Sequence, residues 1–574
     1  MDEVKRAIDD LRSGKAPGQD GIPAEVYKCG QDAILPMLHL LLLMCWTKGS
    51  VPQDMRDANI ITLYKNKGER SDCNNYRGIS LLSIAGKIFA RIILKRLQTL
   101  AERVYPESQC GFRGNRSTID MIFSLRQIQE QSREQQQPLF MAFIDLTKAF
   151  DLVSREGLFQ LLARIGCPPK LLSIIKSFHT NMKGTVSFDG TSSEPFDIKS
   201  GVKQGCVLAP TLFGIFFSLL LRIAFRTSDE GVWIHTRSDG KLYNLRRLTA
   251  ATKIRKVLIR ELLFADDAVF LAHSQEELQR LVSAFSTACR HFGLTISIKK
   301  TKILSQKAPA PAIKIENEQL ENVEDFTYLG STISSNLSLD KELDIRIGKA
   351  ATTMNRLNKR VWENNRLSAA TKMKLYAACV ISTLLYGSEA WATYAKQEQR
   401  LNVFHLRCLR RILKIQWQDK ITNTEVLTRA GLPSIPALLT TKRLRWLGHV
   451  RRMEDGRIPK DVLYGELARG KRPNGRPLLR FEDACSRDMR TSNISIDDWE
   501  NIAENRVNWR KSIREGVKHL EQTRIQHDLE KREICHRPIQ IAETEDVEDF
   551  ICPRCRRVCK TKAGLSSHRR ACTK

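Results

Sequence analysis

Residues 262–273 read LLFADDAVFLAH and place two adjacent carboxylates, Asp266 and Asp267, inside an otherwise apolar run. Burying an unpaired carboxylate costs several kcal/mol or more, so a plain buried strand should not carry two of them side by side. Either the pair lies on a tight turn that faces water, or a strong positive charge lies against it. Other parts of the chain must distinguish these alternatives.

A second apolar run also stops at a carboxylate. Residues 139–144, LFMAFI, are continuously apolar and rich in strand-forming types, which predicts a strand buried on both faces that ends at Asp145. Three carboxylates brought together need a counter-charge, and oxygen-only ligands suit Mg²⁺, two of which form the clamp used for phosphoryl transfer. The simpler interpretation is a hairpin turn at Asp266–Asp267 and a helix cap at Asp145. The two motifs together, in so basic a chain, favour the metal site.

The bulk composition indicates a polyanionic partner. The chain has 574 residues, 42% of them hydrophobic, a length that suits three or four domains. Its net charge of +29 and its pI near 9.7 make nucleic acid the first candidate partner. The longest apolar run, from Ile34 to Trp46, has 13 residues and contains Pro36, so we predict a buried helix and no membrane attachment. The polar N-terminus and the scattered single cysteines are typical of a reduced intracellular protein.

Three further stretches carry predictions about burial. The Gln/Glu-rich segment 129–138, QEQSREQQQP, predicts a solvated helix end or loop, and the polar stretch 222–261 predicts an insertion on the surface. Residues 401–480 hold 18 Lys/Arg against 6 Asp/Glu, which fits salt-sensitive gripping of sugar-phosphate. Within that stretch, Trp446 and Leu447 of RWLGHV are expected in the core rather than on a base-stacking platform.

The C-terminal segment has the spacing of zinc ligands. In ICPRCRRVCKTKAGLSSHRRAC (551–572), Cys552 and Cys555 are followed after 12 residues by His568 and then by Cys572. Phe550 and Leu565 occupy positions where a small ββα finger keeps its core, and so short a segment could not fold without metal. We therefore predict a CCHC-type zinc finger that binds Zn²⁺.

The order of several motifs resembles one family. FIDLTKAFD (143–151), GVKQGCVLAP (201–210) and FADD (264–267) together resemble the reverse transcriptases of non-LTR, LINE-like retrotransposons. The remaining family-like segments follow in family order: SGKAPGQDGIPAEVY (13–27), ITLYKNKG (61–68), NNYRGISLL (74–82), SQCGFRGNRSTID (108–120), GLTISIKKTKI (293–303) and FTYLGSTIS (326–334). RWLGHVRRM (445–453) and the stretch around 245–252 suggest the RTE-like branch.

The resemblance implies a fold class and a domain order. The expected class is α+β, a right-hand polymerase with a small ββα zinc finger at its end. The fingers would span 1–138, an antiparallel-sheet palm with the catalytic core 139–338, the thumb and a basic helical C-terminal region 339–540, and the zinc finger 541–574.

The resemblance also implies a reaction. The chain would be an RNA-directed DNA polymerase that extends a DNA 3′-hydroxyl primer on an RNA template with deoxynucleotides. Asp145 and Asp266 would bind two Mg²⁺ ions, and Asp267 would assist. Phe150 would be the steric gate that excludes the ribose 2′-hydroxyl.

Further residues take implied roles in substrate binding. Lys65 and Arg77 would grip the incoming triphosphate, with Lys67 as an alternative to Lys65. Arg113 and Arg116 would contact template phosphates. The other expected contacts are Gln204 and Gly205 under the nascent base pair and Lys300 near the leaving pyrophosphate. The chain departs from the family pattern at Lys203, Cys206 and Ser297, where the family usually has Pro, Ser and Asn.

Two other interpretations stay open on the sequence. One is a catalytically idle nucleic-acid-binding protein, a decayed or domesticated copy that acts through its basic region and finger; intact aspartates argue against it. The other is a group II intron-type maturase. The chain is expected to carry no endonuclease and to work inside the cell, in nucleus and cytoplasm, with RNA template and DNA primer or target as its partners.

Overall fold

The computed structural model describes residues 1–250, 252–475, 478–536, 550–559 and 562–572. The chain divides into two compact units, Met1–Leu520 and Glu521–Lys574. The predicted domain limits at residues 138, 338 and 540 stay a prediction. No helix among the described residues combines the length and apolar character needed to cross a bilayer.

A five-stranded sheet at the centre of the first unit carries both apolar runs. The strands are β3 (Leu139–Ile144), β9 (Glu261–Phe264), β10 (Asp267–Ala272), β11 (Lys302–Gln306) and β14 (Glu321–Asn322). Their order in the sheet is β14-β11-β3-β10-β9, and β3 pairs antiparallel with both β10 and β11.

Strand β3 is buried on both faces, as predicted. Alternate residues point to opposite faces of a strand. Phe140, Ala142 and Ile144 lie in one hydrophobic cluster, whereas Met141 and Phe143 lie in another. Helices α6 (Thr118–Glu134) and α10 (Gln275–His291) contact the strands of this sheet, and α9 (Ala209–Ala224) packs on α10.

A second sheet comes from the N-terminal region and residues 183–197. The strands of this sheet are β1 (Ala58–Tyr64), β2 (Tyr76–Leu81), β4 (Lys183–Phe188), β5 (Thr191–Ser192) and β6 (Phe196–Asp197). Strand β1 pairs antiparallel with β2 and parallel with β4. The helices of this region are α1 (Asp2–Asp9), α2 (Ala24–Cys29), α3 (Gln31–Lys48), α4 (Gln53–Arg56), α5 (Ile84–Val104), α7 (Arg155–Arg164) and α8 (Pro169–His179).

The prediction of a buried helix at Ile34–Trp46 is wrong in part. The helix forms as α3, but only one narrow face of it, with Leu38, Leu42 and Cys45, is buried. A broad apolar face remains exposed, comprising Met37, Leu40, Leu41, Leu43 and Met44. The run is apolar all round, so periodicity could not show which face packs.

The stretch 222–261 is not a simple surface insertion, which corrects that prediction. Strand β7 (Val232–Thr236) pairs with β8 (Arg255–Ile259) on one side. On its other side it pairs with β17 (Gly465–Leu467), which lies more than 200 residues further along the chain. Val232 and Ile234 are fully buried, and the buried Arg247 donates to the carbonyl of Tyr464. A strand from a distant part of the chain pairs with this hairpin, and no local sequence pattern could reveal that pairing.

The Gln/Glu-rich segment is also not solvated, which corrects a second prediction. Most of 129–135 forms the end of α6, where Gln129, Glu130 and Ser132 are buried. Gln131 Nε2 donates to the carbonyls of Val462 and Gly465 at 2.7 and 3.0 Å. The polar side chains are buried because the C-terminal region supplies their hydrogen-bond partners.

Helices dominate after residue 339, as the pattern indicated. They are α11 (Asp340–Arg356), α12 (Ala369–Leu375), α13 (Ser382–Leu384), α14 (Ala395–Ile412), α15 (Asn423–Ala430), α16 (Ile435–Arg451), α17 (Ile458–Leu463), α18 (Phe481–Thr491), α19 (Trp499–Glu504) and α20 (Arg506–His536). Two short hairpins precede them: β12 (Lys314–Ile315) with β13 (Glu318–Gln319), and β15 (Asp325–Tyr328) with β16 (Ser331–Ser334). Trp446 and Leu447 are buried in α16, which confirms their expected place in the core.

A glycine in α16 allows this core to close. A Cβ at Gly448 would clash with the indole of Trp509, whose Nε1 donates to the carbonyl of Leu444 at 2.9 Å. We expect Gly448→Ala to destabilise the protein by about 1–3 kcal/mol, because a buried ring must shift. Thermal unfolding measures the effect.

Gly348→Ala is the matched control. Gly348 also lies inside a helix, but a Cβ there meets nothing within 4 Å. This variant should be stabilised by about 0.5–1 kcal/mol, because alanine favours helix more than glycine does. Equal shifts of the melting temperature in both variants would contradict the proposed packing.

Candidate functional site

The register of the central sheet brings the three aspartates to one edge. Ala268 pairs with Ile144 across the antiparallel β10–β3 ladder, so Asp267 and Asp145 are next in register at the end of that ladder. Asp266 lies on the turn that joins β9 to β10. The carboxylates at the hairpin turn and at the end of β3 therefore meet, as the two sequence motifs predicted.

The environment of the three carboxylates disfavours their joint ionisation. Burial raises the pKa of Asp266 above its usual range and Asp145 adds to the rise, whereas Arg77 and Lys300 lower it. Burial first, and then Asp266 and Asp145, raise the pKa of Asp267 to about 6. Like charges this close favour a cation among them.

Two protein cations face this acidic group. Lys300 Nζ lies 3.1 Å from Asp145 Oδ1, and Arg77 of β2 acts on Asp266. The oxygen donors are of the type that Mg²⁺ prefers. The site residues thus fit a divalent metal by donor chemistry and by charge.

Gln109 clamps the hairpin turn and is a residue that the sequence analysis missed. Its side chain is fully buried; Oε1 accepts from the backbone N–H of Ala265 at 3.0 Å, and Nε2 donates to the carbonyl of Ala265 at 3.2 Å. Ala265 has a φ of +60°, a conformation that is unfavourable for alanine. The Gln109 carboxamide holds this strained residue next to Asp266.

Backbone contacts reinforce the clamp. Leu263 exchanges hydrogen bonds with Ser108 and Cys110, each 3.0 Å long. A Cβ at Gly111 would clash with the backbone N of Ala265, so this position requires the close approach that only glycine allows. The pair Gln109–Gly111 inside a polar loop was the available sequence signal.

The loop 201–206 connects the site to the second sheet. The carbonyl of Gln204 accepts from Ser80 N–H at 2.9 Å, and Gly205, at φ +109°, would bring a Cβ within 2.5 Å of the Ser80 carbonyl oxygen. Ser80 is in β2, the strand that also carries Arg77. Lys203, one of the departures from the family pattern, is buried and donates to the carbonyl of Arg56. Burial lowers the pKa of Lys203 to about 8.

The remaining predicted residues are only partly brought to the site. Phe150 is half-buried and stacks on Phe213, with ring centroids 4.5 Å apart, in the turn segment that follows Asp145. Lys65 lies at the end of the β1–β2 hairpin, where its Nζ donates to the carbonyl of Asn74 at 2.9 Å. No contact in the described residues joins Lys65 to the aspartates.

Arg113 and Arg116 do not lie free for template phosphates. Arg113 forms an ion pair with Glu102 at 2.6 Å and also donates to the carbonyls of Pro106 and Gln109. Arg116 pairs with Glu107 at 2.6 Å, and both guanidinium side chains are largely buried. Their burial and neutralisation count against phosphate contact, because the charge is already compensated inside the protein. These arginines support the Gln109 loop instead.

The second unit holds a cluster of metal-ligating atoms. Strands β18 (Phe550–Ile551) and β19 (Val558–Cys559) pair antiparallel, and α21 (Lys562–Ala571) follows. One ligand atom from each of Cys552, Cys555, His568 and Cys572 lies within 4.8 Å of all the others. The backbone N–H of Cys555 lowers the pKa of the Cys552 thiol to about 6, towards the thiolate that binds metal. Residues 541–549, 560–561 and 573–574 of the predicted finger lie outside the described residues.

The part of the chain that contains the three aspartates is similar in sequence to known proteins. Residues 64–333 match the family described as "Reverse transcriptase (RNA-dependent DNA polymerase)". The RNA-directed DNA polymerase from mobile element jockey of Drosophila melanogaster is 26% identical over 433 residues, covering 74% of this chain and 45% of that protein. The probable RNA-directed DNA polymerase from transposon BS of the same species is 26% identical over 430 residues, covering 72% and 44%. The chain thus spans less than half the length of these relatives.

Residues 64–333, which contain the carboxylate edge, are therefore similar to the reverse transcriptases. The expected relationship to the reverse transcriptases of non-LTR retrotransposons is confirmed. A telomerase structure from Candida tropicalis also matches, with 14% identity, a TM-score of 0.35, and coverage of 75% of this chain and 68% of that one. A TM-score that low does not establish a shared fold.

Asp267→Asn is expected to raise the melting temperature near neutral pH. The pKa of Asp267 in the folded protein is about 6, above its ordinary value of 3.8, so its ionised form opposes folding above about pH 6. That cost decreases as the pH falls from about 6 towards 3.8, below which the carboxyl is protonated in both the folded and the unfolded protein. The variant should therefore exceed the parent in stability at about pH 8 and match it at about pH 4.

Asp197→Asn serves as the control, since Asp197 is an exposed aspartate on β6. Thermal unfolding of the parent and both variants across this pH range checks the prediction. A constant difference between Asp267→Asn and the parent at every pH would show that Asp267 is not held in the repulsive arrangement described.

Proposed function

We propose that the chain is an RNA-directed DNA polymerase of the non-LTR retrotransposon type, which extends a DNA 3′-hydroxyl on an RNA template with deoxynucleotides. The convergence of Asp145, Asp266 and Asp267 at one edge of a buried sheet, inside the reverse transcriptase domain, carries the proposal. The reaction would take place inside the cell, in nucleus and cytoplasm.

The three aspartates would hold two Mg²⁺ ions, with Asp145 and Asp266 as the main ligands and Asp267 assisting. Bound Mg²⁺ supplies activation of the attacking hydroxyl and neutralisation of the departing pyrophosphate. The strained turn held by Gln109 keeps Asp266 in position. Lys300 would bind or protonate a phosphate oxygen at the same edge, and its contact with Asp145 supports this role.

Residues around the aspartates would select and hold the nucleotide. Arg77 contributes a positive charge next to Asp266 and suits the triphosphate, with Lys65 or Lys67 approaching from the end of the same hairpin. Phe150, supported by Phe213, would block a ribose 2′-hydroxyl. The peptide at Gln204–Gly205 would lie under the nascent base pair, where a glycine permits close approach.

The architecture suits a right-hand polymerase. The second sheet with its helices would be the fingers, the central sheet the palm, and the helices after residue 339 the thumb and a basic C-terminal region. The four-ligand cluster in the second unit would be a CCHC-type zinc finger, since three thiols and one imidazole at this spacing match a closed structural zinc site. RNA template and DNA primer or target would be the partners.

A catalytically idle nucleic-acid-binding protein is the alternative function. The three retained aspartates argue against it, as do the hydrogen bonds by which Gln109 holds the turn that carries two of them. A primer-extension assay separates the two.

The paired substitution Asp266→Ala/Asp267→Ala should abolish DNA synthesis. On an RNA template with an annealed DNA primer, Mg²⁺ and deoxynucleotides, we expect extension to fall by about 1,000-fold or more, since metal ligation supplies several kcal/mol to the transition state. Asp197→Asn should extend the primer at the parent rate. If the parent protein gives no more extension than the double variant, the polymerase proposal fails and the idle binding protein takes its place.

Zinc binding by the full chain should depend on Cys552 but not on Cys559. Both cysteines lie in the finger segment, but only Cys552 belongs to the ligand cluster. Metal analysis of the purified protein should find about one zinc per chain, lost in Cys552→Ser and kept in Cys559→Ser. Equal zinc in the parent and Cys552→Ser would exclude the proposed site.

A further inference from the structure

Trp417 is the most exposed large apolar side chain among the described residues. It is 85% exposed, in a short 3₁₀ turn, Trp417–Asp419, between α14 and α15. An indole that stays in water does not contribute the stabilisation that its burial would give. Tryptophan is enriched at the interfaces of proteins with their partners. This exposure is therefore a feature that needs a partner to explain it.

The turn that presents Trp417 is well ordered. Gln416 N–H donates to Asp419 Oδ2 at 2.7 Å, and Lys420, at φ +49°, returns a backbone hydrogen bond to the Trp417 carbonyl. Upstream, Lys414 Nζ donates to Asn365 Oδ1 at 3.1 Å and Arg411 donates to Asn358 Oδ1 at 3.1 Å. The indole thus projects from a turn that is held by several hydrogen bonds.

The segment that carries Trp417 and the segment hydrogen-bonded to it are strongly basic. The two segments joined by these contacts, 355–366 and 407–420, which we call the Trp417 surface, hold 9 Lys/Arg against 2 Asp/Glu. Several exposed cations of this surface form no ion pair within the part of the chain that the structure describes: Arg356, Lys359, Arg360, Arg366, Arg407 and Lys420. Their charge is available to a polyanion.

An exposed aromatic ring among unpaired cations is the combination that binds single-stranded nucleic acid. Cations contact the phosphates, and the ring stacks on a base regardless of sequence. A duplex offers its base faces only at its ends, and a protein partner of ordinary charge would not need so many free cations. We propose that the Trp417 surface binds single-stranded RNA or DNA, with the indole stacked on an unpaired base.

Binding of a short single strand tests the stacking directly. The protein carries Asp266→Ala/Asp267→Ala, and the assay contains no deoxynucleotides, so its result does not depend on polymerase activity. The probes are fluorescent RNA and DNA strands of about 12 nucleotides, a length within the range of such sites. Trp417→Ala should weaken binding by about 5- to 100-fold, and Trp417→Phe, which keeps a ring, by about threefold or less.

Abasic strands of the same length separate stacking from charge. They keep the phosphates but have no base to stack on, so Trp417→Ala should leave their affinity unchanged. Arg360→Gln with Lys359→Gln should weaken binding to normal and abasic strands alike. Met37→Ala removes another exposed apolar side chain, on α3, and should have no effect. A stronger effect on RNA assigns the contact to the template, and a stronger effect on DNA assigns it to the primer or target strand.

Photo-crosslinking locates the contact. A strand with a 5-iodouracil base should crosslink to the peptide that contains residues 415–420, and Trp417→Ala should abolish that product. The proposal is overturned if Trp417→Ala changes affinity less than twofold for the normal strands, or if this peptide carries no crosslink. Because Trp417 is almost fully exposed, an unchanged circular dichroism spectrum is expected for both Trp417 variants.

Discussion

The grip of Gln109 on Ala265 is the contact on which the carboxylate edge depends. Ala265 sits in a left-handed conformation that costs of order 1–3 kcal/mol when nothing supports it. The Gln109 carboxamide satisfies both its N–H and its carbonyl inside the protein, and Gly111 makes room for the approach. With the turn held, the β10–β3 register places Asp267 next to Asp145. The repulsion between these carboxylates is therefore built into the fold and does not come from flexible side chains.

The cations that oppose this repulsion come from two different sheets. Lys300 precedes β11 of the central sheet, whereas Arg77 belongs to β2 of the other one. The hydrogen bond between Ser80 and the carbonyl of Gln204, together with the close packing of Gly205, ties β2 to the loop before α9. The charge balance of the site is thus a property of how the two sheets meet. Either sheet alone would leave the aspartates less compensated.

The local pattern predicted the strand LFMAFI, the hairpin at FADD and the meeting of three aspartates, because alternation and apolar runs record burial directly. It missed Gln109, since a glutamine in a polar loop shows nothing of a partner 156 residues away. The local pattern also predicted that the end of α6 is exposed to solvent, which is wrong. The polar side chains there are buried and form hydrogen bonds with backbone groups of the C-terminal region; Glu130, for example, accepts from the N–H of Phe481. Long-range hydrogen bonds leave no periodic trace, so these errors share one cause.

The sequence also does not show which of its charged side chains are paired inside the protein. The basic stretch 401–480 predicted a phosphate-gripping surface, but several of its cations are neutralised inside the protein: Arg443 by Asp488, Arg457 by Asp120, and Arg480 by Asp483. Arg113 and Arg116, also expected on phosphates, are likewise paired. A buried, paired arginine releases no counterion when nucleic acid binds and contributes nothing to salt-dependent affinity. The charge that can act on a polyanion is the unpaired, exposed part, and the Trp417 surface combines such cations with an exposed aromatic ring.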